Sequence, residues 1–176
     1  ISVLFGLVTI PLLKKINVRQ SLSEYLGKKH SKKAGTPTMG GVIFIIPTII
    51  TMLILLLMNK IEFTENLAII LFVFLSYALL GFIDDFLIIK RKNNVGLTEF
   101  QKIIGQLLIA IIFFIIYMNS GASATLDIDV LGIHIPMGWF YCVFILFMLV
   151  ASSNAVNITD GLDGLAGGLS TIAFLA

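Results

Sequence analysis

VIFIIPTIITMLILLLM, residues 42–58, decides the fold of this chain. It carries no charge, and its few breaks (Pro47, Thr48, Thr51) do not recur at a spacing that would make a polar face. A helix at the surface of a soluble protein shows apolar residues on one stripe and polar ones opposite; an all-round apolar run belongs in a bilayer or a large core. A membrane-spanning helix needs about 20 mostly apolar residues, with a range of roughly 17–25. Outward from this stretch, five more segments qualify wholly or in part: 1–13, 67–89, 103–118, 139–156 and 165–176. Pro47 and Gly81 inside two of them are tolerable, because neighbouring helices can satisfy freed backbone groups. The pattern predicts one all-α polytopic membrane domain over residues 1–176.

Composition agrees. Of the 176 residues, 58% are hydrophobic and 12% are charged, against about 25% charged in an average soluble domain. The net charge of +2 is too small to indicate a nucleic-acid partner. Cys142, the one cysteine, lies in an apolar run and offers neither a disulfide framework nor a cysteine metal site. Ile1 opens the chain already apolar, with no basic stretch before it and no cleavage site after it, so the first segment is not a signal peptide. With Ala176 ending inside another apolar run, truncation at both ends is expected.

Lysine and arginine orient the spans. Lys14, Lys15, Arg19, Lys28, Lys29, Lys32 and Lys33 fall in the loop before the second span, and Lys90, Arg91, Lys92 and Lys102 surround the loop after the third. The 59–66 loop holds only Lys60, and the 119–138 loop holds none. Positive charge marks cytoplasmic loops, which also places 154–164 on that side. The 119–138 loop is then extracytoplasmic, and its alternation around Leu131 and Gly132 predicts a small β-hairpin, with His134 structural and Trp139 an interface anchor.

Acidic residues cluster on the positively charged side. GFIDDF, 81–86, puts Asp84 and Asp85 near the end of the third span. Adjacent carboxylates at membrane depth need a cation or a watered cavity. Helical neighbours point about 100° apart, so the two need not share one ligand. Neutralisation by Lys90 and Arg91 is the plainer reading, but apolar residues on both sides leave it poorly supported. In SSNAVNITDGLDGLAGG, 152–168, Asn157, Asp160 and Asp163 recur every three residues, one polar stripe if helical. Gly161, Gly164, Gly167 and Gly168 would allow close backbone approach to a ligand or another helix. Counting back from Gly161 gives Val156, Ile158 and Asp160, which excludes an EF-hand loop. KKHSKKAGTPTMGG, 28–41, sets lysines beside a Gly/Thr/Pro turn that can offer ammonium groups, hydroxyls and backbone N–H to phosphates, without being a P-loop. Carboxylates repel phosphate directly; through Mg²⁺ they can hold it. Acids for a metal and lysines for an anion describe a diphosphate site.

KAGTPTMGG (33–41), GFIDDF with the following KRKNNVGLTEFQKIIGQ, and NAVNITDGLDGLAGG (154–168), in that order, resemble the phospho-N-acetylmuramoyl-pentapeptide-transferase family, the lipid I-forming translocases. That family is part of the polyprenyl-phosphate N-acetylhexosamine-1-phosphate transferase superfamily. The resemblance covers essentially the whole chain. It implies about ten spans, of which about six fall here, in a bacterial inner membrane with the active site on the cytoplasmic face. It implies transfer of phospho-MurNAc-pentapeptide from UDP-MurNAc-pentapeptide to undecaprenyl phosphate with Mg²⁺ as cofactor, giving lipid I and UMP. Asp84 and Asp85 match the paired catalytic aspartates, Asn157, Asp160 and Asp163 the acidic loop, and Lys33 and Thr38 the nucleotide-side basic loop. Asp84, Asp85 and Asp160 are the metal candidates. The family's further metal-binding Asp and its His-rich loop would lie beyond Ala176, so this stretch alone should be inactive. Gly164 and Gly168 have a spacing that serves either a homodimer or intramolecular packing.

Other classes fit less well. A related GlcNAc-1-phosphate transferase keeps the chemistry and changes the sugar. A cation-coupled transporter predicts acids at the bilayer midplane rather than at one face. An intramembrane aspartyl protease needs two Asp on separate spans, and Asp160 and Asp163 lie in a polar segment. A purely structural subunit leaves both acidic motifs unexplained.

Overall fold

The computed structural model describes residues 1–15 (the backbone alone at Lys15), 39–91, 95–160 and 165–175. All six apolar segments are helical: α1 Ser2–Lys15, α2 Val42–Leu57, α3 Glu65–Arg91, α4 Glu99–Asn119, α5 Phe140–Thr159 and α6 Leu165–Leu175. Between α4 and α5 lies the expected hairpin, β1 Thr125–Ile128 and β2 Ile133–Pro136. Three helices, α3, α4 and α5, are long and apolar enough to cross a membrane; α1, α2 and α6 are shorter apolar helices. Large apolar side chains stand outward along them, among them Leu57, Leu79, Phe147 and Phe174. That surface would be untenable in water and is ordinary against lipid. The protein is an all-α polytopic membrane protein. Its chain groups into two compact units, Ile1–Gln101 and Lys102–Ala176.

In the first unit α1 and α2 pack together. The buried residues of α1 are Gly6, Thr9 and Leu13, one face at i, i+3 and i+7. A Cβ built on Gly6 would stand 3.2 Å from Ile43 Cγ2, so the missing side chain sets how closely the helices approach. Both helices contain a proline, Pro11 and Pro47. Thr9 and Thr48 donate their hydroxyls to the carbonyls of Phe5 and Phe44, at 2.8 and 2.7 Å, the internal satisfaction a hydroxyl needs in lipid. An open cleft of about 470 Å³ separates Ile1 from Pro47, Thr48, Met52, Leu55 and Ile61. It presents no charged group, so it does not suit a phosphate. Thr64 opens α3, accepting the Leu67 N–H at 3.2 Å. At 27 residues α3 is about 40 Å long at 1.5 Å per residue, longer than a hydrocarbon core of roughly 30 Å.

In the second unit α4 and α5 run antiparallel. Gln106 bonds Ser153 and Asn154 near one end, and Tyr117 meets Tyr141, ring centroids 6.3 Å apart, near the other. Helix α5 continues past the expected limit at Val156 to Thr159. Its polar residues keep the helix by bonding backward: Asn154 Nδ2 donates to Val150 O at 2.8 Å and Thr159 Oγ1 to Ala155 O at 2.8 Å. The hairpin strands pair antiparallel, with Asp127 opposite His134. A 3₁₀ turn over Asp129–Leu131 closes on Gly132, whose φ of +64° is one that glycine adopts at least cost. His134 Nδ1 lies 2.6 Å from Asp127 Oδ1. A carboxylate can only accept, which puts the proton on Nδ1. This bond, with a further one from the Thr125 hydroxyl, holds the Asp127 carboxyl below its ordinary pKa.

Two outcomes follow from these contacts. Gly6→Val should drive a branched side chain into Ile43 and lower stability by about 1–3 kcal/mol, read as the detergent-solubilised protein's unfolding midpoint; an unchanged midpoint would show that α1 and α2 do not rely on that approach. For the hairpin, a depressed folded-state pKa means the contribution of Asp127 is complete above the ordinary carboxylate value and is lost as pH falls through the folded one. Acid titration should therefore loosen β1 and β2, seen as rising amide exchange at 125–128 and 133–136, and Asp127→Asn should flatten that acid response.

Candidate functional site

Asp84 and Asp85 lie in the last third of α3, both part-buried. From Asp85 to the helix end is about 9 Å of rise at 1.5 Å per residue. Each carboxylate is met by a backbone N–H from a different loop. Leu97 N–H donates to Asp84 Oδ1 at 2.7 Å, and Met39 N–H donates to Asp85 Oδ2 at 2.9 Å. The divergence expected of helical neighbours is thus realised: one acid turns toward the segment after α3, the other toward the turn before α2. A hydrogen bond to an ionised group contributes roughly 1.5–3 kcal/mol.

The Met39 donor comes from an unusual backbone. Met39 has φ +68°, the left-handed region, where a non-glycine residue costs on the order of 1–3 kcal/mol. The turn that follows opens α2: Met39 and Gly40 carbonyls accept from Val42 and Ile43 N–H at 3.2 and 3.0 Å. The TPTMGG turn therefore does more than enter a span; its last non-glycine residue is twisted so that its amide reaches an acid 46 positions away.

The Leu97 donor is fixed from three sides. Arg91, the last residue of α3, donates Nη1 to the carbonyls of Gly96 at 2.8 Å and Val95 at 3.5 Å. Thr98 and Gln101 form a reciprocal cap on α4: Gln101 N–H donates to Thr98 Oγ1 at 3.2 Å, and Thr98 N–H to Gln101 Oε1 at 3.0 Å. The guanidinium of Arg91, one of the two cations expected to neutralise the acids, thus tethers the loop that carries an N–H to Asp84.

Of the acidic-loop residues, Asn157 lies in the last turn of α5 and is exposed. Asp160 is the C-cap residue, its N–H donating to Val156 O at 3.0 Å. The two share a face at a spacing of three. Gln106, only 5% exposed, steadies this helix end: it donates Nε2 to Ser153 Oγ at 3.2 Å and accepts from Asn154 Nδ2 at 2.7 Å. Sequence reasoning assigned no role to Gln106, Gly96 or Leu97; it placed Met39 in a turn able to offer backbone N–H and weighed Arg91 only as a counter-charge to the acids. Lys33, Thr38 and Asp163 lie outside the described residues, as do Gly161 and Gly164. A Cβ at Gly167 or Gly168 would meet nothing within 4 Å, so no described part of the chain approaches them closely.

No group of three or more His, Cys, Asp or Glu gathers for a metal among the described residues. Mg²⁺ does not need one: it takes one or two carboxylates and fills its octahedron with phosphate oxygens and water. Asp84 and Asp85 present hard oxygen donors of that kind. The residues fit the ion.

Paired acids at the end of an apolar helix, on a polytopic membrane scaffold, define a class. Residues 67–176, which hold Asp84, Asp85, Asn157 and Asp160, match the family model described as glycosyl transferase family 4, and the chain belongs to that family. Residues 33–45 carry a narrower mark, matching signature 1 of phospho-N-acetylmuramoyl-pentapeptide-transferase. Proteins of that name are similar along almost all of this chain. The one from Oceanobacillus iheyensis is 44% identical over 174 residues, that from Bacillus licheniformis 45%, and that from Bacillus subtilis strain 168 44%. Each match takes in 99% of this chain and 53% of the relative. The chain spans about half the length of the curated relatives it matches.

Gln106→Leu should leave Ser153 and Asn154 without their partner, at a cost of about 1 kcal/mol. Amides 154–160 should then exchange faster while 140–150 hardly change. Uniform exchange along α5 would mean that Gln106 does not hold this end.

Proposed function

We propose that the full-length protein transfers phospho-MurNAc-pentapeptide from UDP-MurNAc-pentapeptide to undecaprenyl phosphate, forming lipid I and releasing UMP, on the cytoplasmic face of the bacterial inner membrane. The observation that carries this is the pair Asp84 and Asp85, each tied by its own backbone N–H, in a chain of this family whose relatives bear the transferase's name. The lysine-rich sequence before α2 runs up to Met39, whose N–H meets Asp85, and its charge supports the choice of face.

In a direct transfer, an oxygen of the lipid phosphate bonds to the sugar-bearing phosphorus as the bond from that phosphorus to the bridging oxygen breaks, and UMP leaves with that oxygen; in the covalent route an aspartate oxygen makes that bond first, UMP leaves, and the lipid phosphate oxygen then displaces the aspartate. Asp84, Asp85 and Asp160 are the residues that would hold Mg²⁺, which when bound supplies charge neutralisation at the diphosphate. Lys33 and Thr38 are the candidates for binding on the nucleotide side, and Asn157, Asp160 and Asp163 those of the acidic loop for binding substrate. Asp84 or Asp85 acts either as a base toward the lipid phosphate or as a nucleophile on phosphorus. A phosphate monoester with a second pKa near ~6 is mostly ionised at neutral pH, so a base is of less use than a well-placed carboxylate.

The test is UMP release from UDP-MurNAc-pentapeptide by the full-length protein with undecaprenyl phosphate, with and without Mg²⁺. Mg²⁺-dependent release that falls by about 10²–10⁴-fold in Asp85→Asn is expected. Activity with UDP-GlcNAc instead would retain the chemistry and change the sugar; no release from any UDP-sugar would overturn the enzyme reading.

A further inference from the structure

We propose that Gly96 is the positioning residue for Asp84: its lack of a side chain is what lets the carboxylate reach the Leu97 N–H. This rests on the transferase reading for its catalytic consequence, though not for its geometry. A Cβ built on Gly96 would overlap Asp84 Oδ1 outright and stand 2.9 Å from both Asp84 Cγ and the Asp84 carbonyl oxygen. Gly96 is buried. Its φ is not in the left-handed region, where Gly121, Gly132 and Gly138 are found. Backbone conformation therefore does not demand glycine at 96; the space taken by the acid does. Gly81, fifteen positions earlier on α3, has nothing within 4 Å of where a Cβ would be.

The loop cannot simply retreat to admit a methyl group. Arg91 holds the Gly96 carbonyl on one side, and the Thr98–Gln101 cap fixes the chain on the other. The carboxylate is the part that can rotate. Rotation breaks the Leu97 N–H bond to Oδ1 and turns the acid away from its set direction. Gly96 touches neither substrate nor reacting atoms; it acts through Asp84. Misplacing a reacting group by about 1 Å can cost on the order of 10²-fold in rate.

The experiment uses the full-length protein labelled with [¹⁵N]leucine. The Leu97 amide is assigned by its loss in Leu97→Met and should move upfield in Asp84→Asn as the charged acceptor disappears. Gly96→Ala should move it the same way, lower kcat for UMP release about 10–100-fold, leave KM for the UDP-sugar close to the parent's, and lower the unfolding midpoint, since the 2.9 Å approach to the Asp84 carbonyl oxygen is to main chain. Gly81→Ala should change none of these. An unmoved Leu97 amide in Gly96→Ala overturns the proposal, and so does a moved amide with undiminished kcat. If the parent releases no UMP, the transferase reading fails, while the amide shift still decides the geometry. Should Gly96→Ala fold poorly, Asp84→Ala/Gly96→Ala removes the carboxylate and keeps the 2.9 Å approach to the Asp84 carbonyl oxygen; a folded yield above that of Gly96→Ala supports the proposal, and a yield no higher overturns it.

Discussion

A carboxylate carried into an apolar helix must be met by hydrogen-bond donors, and everything distinctive in the first unit arranges for that. Asp84 and Asp85 are half-buried in the last third of an apolar helix, and a charge taken that far out of water needs partners. Two of the donors come from the main chain. The Met39 amide reaches Asp85, the Leu97 amide reaches Asp84, and each loop is shaped around that one bond. The left-handed Met39, the Arg91 tether and the Thr98–Gln101 cap make sense as parts of this arrangement.

The second unit meets a similar demand by different means. There the polar groups inside the bundle are amides and hydroxyls rather than charges, and they satisfy one another. Gln106 joins α4 to α5 through Ser153 and Asn154, while the threonines and Asn154 bond back along their own helices. Neutral partners of this kind are worth little individually in a membrane, but they set rotation and register where apolar packing alone is permissive. Asn157 and Asp160 inherit that register, since they continue the same helix beyond the clamp.

Much of this was legible beforehand. The helices follow from runs such as 42–58, the hairpin from alternation around Leu131 and Gly132, and the acids from their improbability in apolar surroundings. The grips on those acids were not, because a backbone N–H belongs to every residue but proline and leaves no trace in composition. Thr98-x-x-Gln101 is a capping pattern that could have been read directly, and it marks the start of α4 at the right place. Gly96 was visible as a glycine in VGLTEFQ, but only the position of Asp84 tells why it is one. Helix α5 ran further than its apolar stretch because hydroxyl and amide side chains bonded back to their own carbonyls.

Holding a functional acid by main-chain amides also sets how the site can drift over evolutionary time. At positions 39 and 97 almost any side chain still presents the needed N–H, so those side chains can vary with the lipid and protein surroundings while the function persists. Proline is barred from both, because it alone removes the donor. The sequence around this pair of aspartates is thus divided into letters that are free and letters that are fixed, and the division follows which atom of each residue is in use rather than how near the residue lies to the chemistry.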